Sequence, residues 1–309
     1  MSNNINNLYL IKRAIKYIIK GKIFTLVKKT FLQLFNLNKI NLDNFSVDHN
    51  LSLNDLLNKF GSENGTYDTK KTYFYHRNLK EFSKKFPDYN KWILRSKEED
   101  EAFKHQSGVN YTPIFEKFLE IYKDKKKNFL QIGTRGGHTI AGLYFYFKKM
   151  NFYSISHKPI NKFIFFSKRI FFKTVNVRNL KDVKKFLNFN NSFDIILDDE
   201  YHEQNSIISN FKNFINHCND LYIIKGFASD DKTLIALRKY NSERKTKVYY
   251  PSNTYTTKEV FNFIKKKEFF SHNILSENFL KNLYNSDYEI DIYDSDHPAG
   301  GLIIFKKII

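Results

Sequence analysis

An α/β fold built on a mostly parallel sheet is predicted by three features of the sequence. From Pro113 onward, short apolar runs rich in Ile, Phe and Tyr alternate with amphipathic stretches. That alternation is the mark of successive βαβ units. Several of the runs end in glycine or in acids, the residue types found where a strand hands over to a turn or a helix. The last two runs, YEIDIYD and GLIIFKK, are separated only by a short DHPAG turn, which predicts an antiparallel hairpin at the sheet edge.

The elements follow in chain order. Residues 8–35 (LYLIKRAIKYIIKGKIFTLVKKTFLQLF) read as one or two basic amphipathic helices broken near Gly21. Leu8, Ile11, Ile15, Ile18 and Ile19 recur at helical spacing, and Lys12, Lys16 and Lys20 fall on the other face. Such a helix can lie on an anionic membrane surface. The simpler reading packs its stripe on the domain or on a second subunit of a homo-oligomer. Residues 36–50 are Asn-rich and read as a polar linker. Ser52 then caps a short apolar helix that ends in a Gly-Ser-Glu-Asn-Gly turn. Residues 80–107, with Trp92, read as a charged helical insertion. The expected division is 1–50 as N-terminal segment and linker, 51–110 as helical lead-in with insertion, and 111–309 as the sheet domain.

Within 111–309, PIFEKFLEIYK is a helix, NFLQIG a buried strand, GHTIAGLYFYFKK a helix and NFYSISHK a second strand. Residues 160–173 read as a Phe-rich helical stretch, and KTVNV as a short strand after it. LKDVKKFLNF is a helix, FDIILDD an apolar strand, EQNSIISNFKNFINHC a helix and LYIIKGF another buried strand.

Bulk properties narrow the class. With 41% hydrophobic residues and only 11 Gly and 5 Pro, the chain has the material for a real core and is no disordered polymer. Cys218 is the single cysteine, so no disulfide framework forms within the chain, as in a reducing cytoplasm. A lone cysteine is usually a small buried side chain, and Cys218 is given no role. The net charge of +19 favours anionic partners. AT-rich coding also enriches Lys, Asn, Ile, Phe and Tyr, so part of that charge says nothing about partners. No uncharged apolar run reaches the roughly 18 residues of a membrane span. Lys12, Arg13, Lys16, Lys20 and Lys22 interrupt any signal-peptide core. The expected location is cytoplasmic, or peripheral at the inner membrane face if residues 8–35 bind lipid.

Ligands of open parallel sheets sit beyond the carboxyl ends of the strands. The segments to examine are therefore Gly133-Thr134-Arg135-Gly136-Gly137, Ser156-His157-Lys158, Asp198-Asp199-Glu200-Tyr201-His202 and Lys225-Gly226-Phe227. The first is a glycine turn into a helix, where backbone N–H groups can face a ligand. It lacks the Gly-Lys-Ser/Thr ending of a phosphate-binding loop. In the third, two carboxylates and a histidine crowd one strand end. They could bind a cation and supply a base, or simply cap the next helix and leave His202 exposed.

FLQIGTRGGHT, FDIILDDEYHEQNSIISNF and LYIIKGF together resemble the class I S-adenosylmethionine-dependent methyltransferases. More narrowly, they are similar to the sugar O-methyltransferases related to macrocin O-methyltransferase and to cephalosporin-hydroxylase-type proteins. FGSENGTY upstream and GGLIIFKK at the end fit the same pattern. The resemblance spans residues 51–309 without the insertion. It implies a Rossmann-like sheet and methyl transfer from S-adenosylmethionine to a sugar hydroxyl, in glycan, surface-polysaccharide or secondary-metabolite synthesis. The acceptor would be a glycan or a nucleotide-sugar-derived compound. Gln131, Gly133, Thr134, Gly136, Gly137, Ser156 and Asp198 would hold the cofactor. Asp199 would be the metal-binding acid and His202 the base.

The sequence departs from that pattern at three places. Gln131 replaces the acid before the first glycine, Ser156 the ribose-binding acid, and Lys225-Gly226 a Glu-Asp pair beside the metal. Losing two of three anionic ligands should remove nearly all Mg²⁺ affinity, and Lys225 would supply positive charge beside Asp199 instead. Two other readings follow. One is a pseudo-methyltransferase retained for binding or scaffolding. The other is an RNA 2′-O-methyltransferase in which Asp198 and Lys225 form a catalytic pair, although RNA is not the expected partner because no further members of that set can be placed.

Overall fold

The computed structural model describes residues 39–48, 50–60, 111–134, 137–157, 164–190, 192–200, 204–227, 255–294 and 301–308. Residues 8–35, the insertion at 80–107, Gly136, Tyr201 and His202 lie outside them.

In chain order the elements begin with β1 (Lys39–Asn41), α1 (Leu53–Lys59) and α2 (Thr112–Leu119). Then come β2 (Asn128–Ile132), α3 (His138–Tyr146), β3 (Asn151–Ser156), β4 (Ile164–Phe166) and β5 (Ile170–Thr174). The next are α4 (Leu180–Leu187), β6 (Phe193–Asp198), α5 (Gln204–Phe214) and β7 (Cys218–Phe227). Last are α6 (Thr257–Lys265), α7 (Glu277–Tyr284), β8 (Tyr288–Tyr293) and β9 (Gly301–Lys307).

Seven strands form one sheet in the order β5-β3-β2-β6-β7-β9-β8, and β1 pairs with β4 in a separate parallel ribbon. The first five are mutually parallel, and β9 is antiparallel to both β7 and β8. From β2 the chain builds outward to β5 and then returns to β6. The order therefore reverses between β2 and β6, and this is the switch point of the sheet. The architecture is the Rossmann-like class expected, with the C-terminal hairpin at its edge.

Alternation along each strand sorts side chains into two cores. Phe129, Phe152, Leu197, Ile223 and Ile304 face α1, α2 and α3. Leu130, Ile155, Ile196, Tyr222, Ile303 and Phe305 face α4, α5, α6 and α7. Below the sheet's amino end, Lys127 joins two strands: its Nζ lies 3.1 Å from Asp194 and 3.0 Å from Asp220.

Two expectations need correction. The stretch read as helical at 160–173 contains strands β4 and β5, joined by a turn at 168–169. Its apolar residues are Phe and Ile in short blocks, which periodicity alone cannot assign, and their strand propensity prevails once β3 offers an edge. The polar linker at 36–50 contributes to the domain: Leu42 and Val47 are buried in the first core. Ser52 does cap α1, as its Oγ accepts from the Asp55 amide at 3.1 Å. Cys218 is buried, and burial pushes its thiol up to about 12, so it behaves as a small apolar side chain. Among the described residues no helix is long and apolar enough to cross a membrane.

Candidate functional site

The switch point is tightly closed at backbone level. The Gly133 amide donates to the Ile155 carbonyl at 2.9 Å, and the Asp199 amide to the Ile132 carbonyl at 2.9 Å. Gly133 has φ +90, and a Cβ built there would lie 2.3 Å from the Asp199 carbonyl oxygen and 2.4 Å from the Glu200 Cα. Glycine is thus required both for the dihedral and for the contact. The turn continues through Thr134, whose hydroxyl meets those of Ser154 and the Ile155 carbonyl. It ends at Gly137, the left-handed residue that precedes α3.

Gln131 is buried on the face shared with α3. Its Nε2 donates to the Gly133 carbonyl at 3.4 Å, while its Oε1 is buried without a hydrogen-bond partner among the described residues. A buried amide oxygen left bare is costly unless something outside the chain donates to it.

The neighbouring acids at the end of β6 face opposite ways. Asp198 continues the Ile196 side of the strand and meets α5, where Asn210 Nδ2 donates to its Oδ1 at 3.1 Å. Burial pushes this carboxyl up to about 8 despite that hydrogen bond. Among the described residues, neither its Oδ2 nor the buried hydroxyl of Tyr222 has a hydrogen-bond partner in ordinary geometry. Burial, and next the charge of Asp198, drive the Tyr222 phenol well above its usual range. Asp199 turns toward β7, where Lys225 Nζ donates to its Oδ1 at 3.0 Å. This pair is withdrawn from solvent, at 7% and 2% side-chain exposure. The Lys225 ammonium also lies 5.5 Å from the Tyr111 ring centroid. Gly226, with φ +86, sits where the β7–β9 register shifts just after Lys225, a bulge of the kind that re-aims a side chain.

Beside this pair lies a second one. His157, after β3, places Nδ1 2.6 Å from Oε1 of Glu200, after β6. Ser156 ends β3 half-buried next to it. The upper rim thus carries His157, Glu200, Asp199 and Lys225 from the ends of three strands, β3, β6 and β7, with β2 between the first two.

Of the residues singled out in the sequence, Gln131, Gly133, Thr134, Gly137, Ser156, Asp199 and Lys225 come together on this rim. Asp198 belongs to the opposite layer. The Asp198–Lys225 pairing required by the RNA reading is therefore replaced by Asp199–Lys225. Gly136 and His202 lie outside the described residues. Sequence reading missed the Glu200–His157 pair, the Tyr111 ring and Asn210. The only signal for Glu200 and His157 was that both follow a strand.

No protein-family model and no curated protein matches the chain. Solved structures similar to the chain include two methyltransferases and a fibrillarin. The MycE methyltransferase of the mycinamycin biosynthetic pathway, in complex with Mg and SAH, is 12% identical with TM-score 0.45, over 64% of this chain and 49% of that one. Fibrillarin from Aeropyrum pernix, with natively bound S-adenosyl-L-methionine, is 12% identical with TM-score 0.36, over 62% and 71%. An O-methyltransferase family protein from Burkholderia thailandensis is 8% identical with TM-score 0.39, over 64% and 57%. The chain spans about half the length of the MycE structures it matches.

Proposed function

We propose that the chain is an S-adenosylmethionine-dependent O-methyltransferase for a sugar hydroxyl, with a fixed lysine where a divalent cation would otherwise stand. The observation that carries this reading is the buried Lys225–Asp199 pair at 3.0 Å, on the rim beside the switch point. The residues fit the cofactor at one point in particular. The bare Oε1 of Gln131, beside the glycine turn into α3, suits the ammonium group of a methionine moiety. When bound, the cofactor supplies a methyl group on a sulfonium centre. The chain's own task is then to orient the acceptor hydroxyl and manage its proton. The Lys225 ammonium, held by Asp199, would steady negative charge developing on that oxygen. His202 remains the proposed proton acceptor.

Mg²⁺ does not fit this donor set. Asp199 already accepts from an ammonium 3.0 Å away, which repels a second cation. Among the described residues no group of three His, Cys, Asp or Glu side chains could hold a metal.

Calorimetric titration with S-adenosylmethionine and S-adenosylhomocysteine tests the reading directly. Micromolar binding, with methyl transfer unaffected by EDTA, is the expected result. Strict dependence of transfer on Mg²⁺ would sink the lysine assignment. No binding up to millimolar ligand would favour the pseudo-methyltransferase reading, to which the Thr134 and Ser154 hydroxyls, satisfied by one another, also lend support.

A further inference from the structure

Glu200 and His157 are 43 residues apart and belong to strand ends that are not neighbours: β2 lies between β3 and β6. The Glu200 backbone rests directly on Gly133, at the end of β2. From that point its side chain runs across to the His157 ring. The pair therefore forms a strap over the carboxyl end of β2, beside the reversal in strand order. Glu200 is well buried at 6% side-chain exposure, whereas the His157 ring is open at 29%. The crevice outside the strand ends at a switch point is where ligands of such sheets bind.

The geometry points to the Glu200–His157 pair as a latch that closes this crevice and that a bound ligand must displace. The ionisable groups around it on the described strand ends are Asp198, held by Asn210 in the opposite layer, and Asp199 and Lys225, which lie 3.0 Å from each other. Opening the strap thus breaks the Glu200–His157 contact, while Asp199 and Lys225 keep each other as partners. If the open form is populated about one time in ten, the apparent affinity of any crevice ligand falls about tenfold. The ligand class rests on the reading above, a cofactor bearing S-adenosyl and methionine groups. The latch itself is a property of the chain alone.

The test uses the full chain and Glu200→Gln, with His157→Gln as a second variant should the first fold poorly. Two readouts are needed. Hydrogen exchange in the absence of ligand should quicken at the Gly133 and Asp199 amides of either variant, because the strap that holds these turns together is weakened. Titration with S-adenosylhomocysteine should show about tenfold tighter binding. Unchanged exchange at both amides overturns the latch, whatever the ligand does. Binding that weakens in the variants also overturns it, because Glu200 and His157 would then be ligand contacts. If no form of the protein binds S-adenosylhomocysteine, the methyltransferase reading fails, and faster exchange would still show that the pair holds the crevice closed.

Discussion

Asn210 donates its side-chain amide to one oxygen of the Asp198 carboxyl across 3.1 Å, and the other oxygen of that carboxyl is buried with no donor in ordinary geometry among the described residues. Burial raises the carboxyl to about 8 in the folded protein, against about 3.9 in an unfolded chain. Between those values the unfolded state has released the proton and the folded state still holds it. Asp198 therefore contributes fully to stability below about pH 4, and that contribution is lost as pH rises toward 8. Asp198→Asn keeps the Asn210 contact and cannot ionise. Its urea midpoint should exceed that of the wild type at pH 8, with the difference shrinking by pH 5. Parallel pH profiles for the two proteins would refute the assignment.

Lys225→Met should cost about 3 kcal/mol, because it strands the Asp199 carboxylate in a buried site. Lys225→Met combined with Asp199→Asn should recover most of that loss. The double-mutant cycle in urea isolates the coupling. A coupling energy near zero would mean that the pair is incidental.

Gly133→Ala meets two obstacles at once, a φ of +90 and a backbone oxygen 2.3 Å from the new Cβ. We expect a loss of at least about 2 kcal/mol. Any cofactor site at the switch point should fail with it, since β2 and β6 would be prised apart. A variant with unchanged thermal midpoint would show that the turn relaxes freely.

Apart from β5, the strands of the main sheet were legible because their apolar runs are bounded by turn residues and short enough to exclude buried helices. The hairpin was legible from YEIDIYD and GLIIFKK, and the α1 cap from Ser52. The segment through Phe165, Phe166 and Ile170 was not, since a continuous apolar block has no period to read. Leu42 and Val47 were hidden by their Asn-rich surroundings. At the site, residue types indicated which groups were chemically active but not which way they point. Asp198 and Asp199 are adjacent in sequence, and strand alternation sends them to opposite layers. Glu200 meets His157 only because β3 and β6 flank β2, a relation that no local spacing encodes.

The place of β9 between β7 and β8 sets an order of events during synthesis. Among the described residues, the long edge of β7, Cys218–Phe227, finds its antiparallel partner only in Gly301–Lys307. At about 5–20 residues per second, a ribosome needs roughly 4–15 s to cover the interval. Until then the apolar sequence Leu221-Tyr222-Ile223-Ile224 presents an unpaired edge, open to the wrong strand or to another nascent chain. The final strand thus decides when the protein stops being prone to aggregation, and slow or interrupted translation of its last segment should lower the soluble yield.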